Sequence, residues 1–254
     1  MTATPLILSL DTATLGGSVF LGRGNVQLAA RSGNPQVSQS SSLLQDINNS
    51  LEEADVSLQD VDLFACASGP GSFTGLRIGI ATLKALAASL KRPCVGIPTL
   101  RAVAHAAGYS SATVAVLPAG RGEVFAQMFS VSDNEIVTEI DSAAHLSPQK
   151  LVERYALFMN LKWAGSGAHL QRELLDSFAQ RQGIIFVAAE HESKNVANES
   201  GVNIWQLAAK EVNLAKHVAA LALHAYETGN VSSPHSLSAI YVRPSDAELN
   251  EQCR

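Results

Sequence analysis

The chain has 254 residues, 46% of them hydrophobic and 16% charged, which excludes a disordered polymer and allows a buried core in one large domain or two small ones. Lys and Arg number 18 against 23 Asp and Glu, a net charge of −5, so most of the surface is not built to grip a phosphate backbone. Three cysteines (Cys66, Cys94, Cys253) without a CxxC pair argue against a disulfide scaffold or zinc site; with no leader pattern and no apolar run of roughly 20 residues, a soluble cytoplasmic protein is expected.

Residues 6–10 form a short apolar run that ends at Asp11, and runs 17–21 and 26–31 flank Gly22-Arg23-Gly24, a hairpin signal. Over 40–54, Leu43, Leu44, Ile47, Leu51 and Ala54 recur at helical spacing. Residues 61–67 read as a strand. The loop Gly69-Pro70-Gly71-Ser72-Phe73-Thr74-Gly75 then opens a helix to about residue 90, Pro93 stops it, and 94–97 make another strand. After a short helix at 99–107 the order repeats. Strands fall at 113–117, 123–131 and 135–140, and a helix at 147–158 has Ser147 as cap and Pro148 in its first turn. A strand at 161–164, the loop Gly165-Ser166-Gly167, a helix at 169–181 and a strand at 184–188 complete it. A duplicated unit of this order predicts two α/β lobes, 1–104 and 105–202, with a cleft between them. A long helix at 203–228, closed by Gly229, is expected to pack back onto the first lobe; in the tail from 231 only 240–243 has strand character.

The first glycine loop admits two functions. Gly69 and Gly71 permit close backbone approach, and with a helix start behind them they suit an anion; equally, they suit a tight strand-to-helix turn with Ser72 or Thr74 as cap. The loop lacks the Gly-Lys-Ser/Thr of a P-loop, and Thr74 stands where a dinucleotide fingerprint needs glycine. Asp11-Thr12 can hold a metal ion or orient a water, or can simply cap its own turn. The helix from Phe73 is apolar nearly all round, with Arg77 and Lys84 its only charges, so something besides its own sheet should cover it. The seven histidines form no H-x-x-x-H or H-E-x-x-H pattern, and neither Ser72 nor Ser166 sits in a G-x-S-x-G elbow.

Leu10-Asp11-Thr12-Ala13-Thr14, followed by Ala67-Ser68-Gly69-Pro70-Gly71-Ser72-Phe73-Thr74-Gly75-Leu76-Arg77-Ile78-Gly79, resembles the TsaB (YeaZ) family, from about residue 5 to 108. Weaker agreement continues at Glu123-Val124-Phe125, Gly165-Ser166-Gly167 and Tyr241-Val242-Arg243. The resemblance implies a duplicated actin-like, Hsp70-like (ribonuclease H-like) fold. It also implies a non-catalytic subunit in making threonylcarbamoyladenosine beside the anticodon of tRNA. Such a subunit pairs with the catalytic paralogue TsaD, works with the ATPase TsaE, meets tRNA only through the complex and forms a homodimer when alone. TsaD carries an N-H-L-E-G-H segment whose histidines bind metal; Thr99 and Val103 stand at those places here, so no metal and no catalytic residue are expected. No cofactor is required, although ATP or ADP could sit at the interface with the partner, and a vestigial phosphate site would use Asp11, Thr12, Gly69, Gly71, Ser72, Thr74, Gly165 and Gly167.

Two departures from the family stand out: Pro118-Ala119-Gly120-Arg121-Gly122-Glu123-Val124-Phe125 replaces a usual Asp-Ala-Arg before Glu-Val-Tyr, and Gln39 replaces a histidine. The family's helix-pair interface maps here to Leu43, Ile47, Gly75, Gly79, Thr82 and Leu86, with Leu76, Ile80, Leu83 and Ala87 toward the sheet. Two alternatives remain at this stage: an active enzyme of the same fold, phosphotransferase or peptidase-like, and a plain homodimeric binding module.

Overall fold

Strand β1 (Leu6–Asp11) is buried along its whole length, as an apolar run must be when both faces of its sheet are covered. Leu6, Leu8 and Leu10 enter a core with Leu43 and Ile47 of α1 (Gln39–Glu53) and Ile80 and Leu83 of α2 (Phe73–Leu90). From the other face the Ser9 hydroxyl donates to the Ala215 carbonyl of α7 (Leu214–Glu227) at 2.7 Å. The computed structural model describes residues 4–33, 39–188 and 203–242. It divides into two units, 1–102 with 212–254, and 103–211.

In the first unit, β2 (Ser18–Arg23) and β3 (Val26–Ser32) run antiparallel from β1, while β4 (Leu63–Gly69) and β5 (Cys94–Pro98) extend the sheet in parallel, in the order β3-β2-β1-β4-β5. The helix α2 begins on Ser72, whose hydroxyl accepts from the Gly75 amide, and ends at Lys91 in the left-handed region (φ 54°). Its 18 residues are apolar enough to cross a membrane by composition alone, but Leu76, Ile80, Leu83 and Ala87 pack into the unit. The Asn213 side chain caps α7 by accepting from the Lys216 amide, and its Nδ2 donates to the Arg31 carbonyl of β3 at 3.1 Å.

In the second unit, β6 (Ser110–Gly120), β7 (Glu123–Val131) and β8 (Val137–Glu139) are antiparallel neighbours, and β9 (Ala144–Leu146) pairs with β7. The sheet continues in parallel through β10 (Leu161–Ala164), β12 (Ile204–Leu207) and β11 (Ile185–Ala188), giving the order β11-β12-β10-β6-β7-β8. This repeats the first unit's order with one strand, β12, inserted before the edge. Tyr155 of α4 (Pro148–Tyr155), Phe178 of α6 (Arg172–Arg181), Trp163 and Trp205 form its aromatic core; the two indoles meet edge-on at 5.0 Å.

Four sequence expectations change. The continuous helix over 203–228 is strand β12 followed by α7: Trp205 is fully buried beside Trp163, and Asn213 starts a fresh helix. The helix over 169–181 is α5 (Ser166–Leu170) and α6, broken at Gln171. The strand at 135–140 shortens to β8, and a further short strand, β9, follows it. Residues 240–242 form no strand; Ser232 instead bridges Cys94 at the β5 edge, and Arg243, Cys253 and His191 lie outside the described residues.

Candidate functional site

The end of β1 and the Gly69–Gly75 loop come together, through contacts made by backbone. Both oxygens of Asp11 are used within its own turn: Oδ1 accepts from the Ala13 amide at 2.9 Å and the Thr14 amide at 3.2 Å, and Oδ2 accepts from the Thr14 hydroxyl. With 1% of its surface exposed, the Asp11 carboxyl is pushed above its ordinary pKa by burial, and these hydrogen bonds offset part of the shift. The Ser72 amide donates to the Ala13 carbonyl at 2.8 Å, and a Cβ on Gly71 would lie 2.5 Å from that same oxygen. Gly79, nearly two turns into α2, faces Thr12, whose Oγ1 would stand 2.1 Å from a Cβ there. Thr12 is buried, and of the predicted phosphate residues in this loop Ser72 and Thr74 are exposed, with the Ser72 hydroxyl accepting from the Gly75 amide as the helix cap. The glycines therefore serve close packing of loop and helix on the β1 turn.

Thr99 and Val103 belong to α3 (Thr99–Ala106). Thr99 is fully buried and its Oγ1 accepts from the Gly69 amide at 3.0 Å, holding the loop from behind; Gly69 has φ +115°, a conformation that favours glycine. Val103 is buried among apolar neighbours. Among the described residues no group of three or more His, Cys, Asp or Glu is arranged to hold a metal.

The second glycine loop makes the same kind of contact in its own unit. A Cβ on Gly165 (φ +92°) would lie 2.5 Å from the Val116 carbonyl oxygen of β6, and one on Gly167 would lie 2.8 Å from the Val116 carbonyl carbon. The β6–β7 hairpin, where the family residues are replaced, turns on Arg121 (φ 51°) and Gly122 (φ 78°); Glu123 reaches Nε2 of His145 at 2.8 Å.

The interface assignment needs correction. Leu43, Ile47, Gly75 and Gly79 are buried within the first unit, so they present no free face. Thr82 is half-buried, and Leu86 packs on the edge of the same core. The cause is Gly79, which lets α2 approach β1 closely and so turns the small-residue stripe inward. The outward face carries Arg77, Ala81, Ala85 and Ala88 on α2, and Leu44, 64% exposed, on α1. The Leu43-Leu44 doublet carried that signal, because consecutive helical residues cannot share a face.

Residues 231–242 also reach this region, as a strap the sequence did not reveal. The Ser232 and Cys94 backbones exchange hydrogen bonds of 2.9 and 3.0 Å. Leu237 is buried over Gly96, and Lys84 donates to its carbonyl at 3.0 Å. The Ile240 amide donates to the Ser68 carbonyl at 2.7 Å, the Ile240 carbonyl abuts Gly69, and the Tyr241 ring lies 5.4 Å from Phe73.

Two units of one strand order, each with a glycine loop seated on a neighbouring strand, define a duplicated actin-like α/β protein. The comparisons agree and go further. The family model described as TsaD, tRNA N6-adenosine threonylcarbamoyltransferase, matches residues 36–231. The tRNA threonylcarbamoyladenosine biosynthesis protein TsaB of Escherichia coli is 32% identical over 156 residues, 58% of this chain and 65% of that protein. The TsaB of Bacillus subtilis is 25% identical over 194 residues, 74% of this chain and 82% of that protein. A crystal structure titled as an uncharacterized protein with similarity to peptidase YEAZ from Pseudomonas aeruginosa superposes with a TM-score of 0.71 at 25% identity, over 94% of this chain and all of that one. The chain belongs to the TsaD family of tRNA threonylcarbamoyladenosine proteins, in its TsaB (YeaZ) branch.

Proposed function

We propose that this chain is a non-catalytic, cytoplasmic scaffold subunit in the synthesis of threonylcarbamoyladenosine on tRNA, acting by docking the catalytic paralogue TsaD. The observation that carries this reading is Thr99. At the place of a paralogue metal ligand stands a hydroxyl committed to the Gly69 amide, and Val103 at the second place has no ligating atom. Asp11 is likewise spent on its own turn, which supports a chain that needs no nucleotide of its own. Any ATP or ADP then belongs at the interface with TsaD, where the ATPase TsaE also acts. The outward face of α1 and α2 serves TsaD and a second copy of this chain in turn, so homodimer and heterodimer exclude each other.

The test is a pull-down of purified TsaD with and without ATP, paired with turnover assays of the chain alone. The reading expects a TsaD complex and no threonylcarbamoyl transfer or ATP hydrolysis by the chain alone. Turnover near about 1 s⁻¹ by the chain alone, in the range of phosphoryl-transfer enzymes, would overturn it.

A further inference from the structure

We infer that Arg77, Phe73 and Tyr241 form an anchor that takes a carboxylate of the docked protein partner, so that docking also reads whether the strap 231–242 is seated; this rests on the scaffold function proposed above. The guanidinium of Arg77 lies over the Phe73 ring, 4.1 Å from its centroid, and Phe73 packs on Tyr241. Phe73 is 38% and Tyr241 49% exposed, so the cluster stands at the surface. Among the described residues no carboxylate pairs with Arg77. The other cation of α2, Lys84, is directed to the Leu237 carbonyl of the strap. Arg77 is thus the cation that α2 offers outward, held in place by its ring before any partner arrives, and pre-organisation of this kind lowers the entropic cost of docking.

The composition decides between two classes of acidic partner. Arginine beside two exposed aromatic rings is the make-up of a protein hot spot, and the exposed residues that continue the α2 face, Ala81, Ala85 and Ala88, are small and uncharged. A phosphate backbone calls for several cations along a track, and among the described residues the outward face of α2 carries one, Arg77. A planar fork matches a carboxylate with two parallel hydrogen bonds. Tyr241 joins the anchor only because the Ile240 amide is tied to Ser68 and the Leu237 carbonyl to Lys84. A strap lifted from these partners would take Tyr241 with it and leave Phe73 and Arg77 without their backing.

Calorimetric titration of purified TsaD into the full chain tests this, using wild type, Arg77→Gln, Arg77→Lys and Tyr241→Ser, each checked for an unchanged melting temperature. Arg77→Gln should weaken binding about 30-fold, the size of a hot-spot loss, and flatten its salt dependence. Arg77→Lys should recover only part, since an ammonium neither forks nor stacks flat. Tyr241→Ser should weaken binding about 10-fold. If Tyr241→Ser lowers the melting temperature, Tyr241→Phe, which keeps the ring, should restore both fold and affinity. TsaD binding unchanged in Arg77→Gln and Tyr241→Ser overturns the anchor and leaves the scaffold function standing. Failure of the wild type to bind TsaD overturns both. Normal TsaD binding with lost affinity for an anticodon stem-loop RNA overturns the anchor in favour of a phosphate contact.

Discussion

The two units share a strand order and place their glycine loops alike, yet they diverge in the helix that follows. In the first unit Ser72 caps a continuous helix of 18 residues. In the second, Gly165 occupies the cap position, the helix stops after five residues, and a second helix starts at Arg172. The second pair is drawn into its own unit, since Leu175 and Phe178 sit in the aromatic core. The first helix buries one side and leaves Arg77, Ala81, Ala85 and Ala88 outward. What the duplication keeps is the close approach of glycine to a backbone carbonyl, at Ala13 in the turn after β1 in one unit and at Val116 of β6 in the other. What it releases is the helix, and the unit whose helix keeps a bare face is the one suited to a partner.

The comparison breaks most visibly at the cores. Trp205→Ala removes an indole held between Trp163 and Phe178, and should destabilise the second unit by about 3–5 kcal/mol. Denaturant unfolding followed by near-ultraviolet circular dichroism should show it. Equal loss from Trp205→Phe would mean that the indole itself, and not aromatic bulk alone, is what the core requires. Gly79→Val should cost about 1–3 kcal/mol by forcing α2 off Thr12. If thermal melts of Gly79→Val match wild type, the small-residue stripe faces outward after all.

Asp11 sharpens the contrast between a clamp and a catalytic carboxylate. Asp11→Ala strands the Ala13 and Thr14 amides and should cost about 1–3 kcal/mol, whereas Asp11→Asn keeps an acceptor for them and should cost less. The sign of its pH dependence follows from burial. The folded carboxyl has a pKa above its unfolded value of 3.8, so between the two values the folded chain binds more protons. Stability should therefore fall as pH rises through that window and level off above the folded pKa. Asp11→Asn should lack this component in urea titrations run at stepped pH. The smallest expected effect is on the outward face, where Ala85→Arg should change stability by less than about 0.5 kcal/mol.

Much of this was legible in the sequence. The apolar runs at 6–10 and 61–67, the Ser147 cap and the two glycine loops marked strand order and duplication, because each has a local cause. The inserted strand β12 was not legible, since Ile204-Trp205-Gln206-Leu207 adjoins a helical pattern and owes its extended form to the slot between β10 and β11. The site was half legible. The sequence marks Gly69, Gly71 and Asp11 as candidates for a phosphate site, but spacing cannot say whether a glycine makes room for a phosphate or for a carbonyl. The direction of Gly75 and Gly79 depended on Thr12, over sixty residues away in sequence. The strap was invisible for the same reason: its partners are the backbones of Ser68 and Cys94, which no side-chain pattern records.

The central claim, that this chain works by presenting the outer face of α2 to TsaD, is tested most directly by the affinity of Ala85→Arg for TsaD, measured by calorimetry beside a thermal melt. The account predicts an unchanged melting temperature with binding weakened about 30-fold or more. Unchanged affinity in a normally folded Ala85→Arg would contradict it.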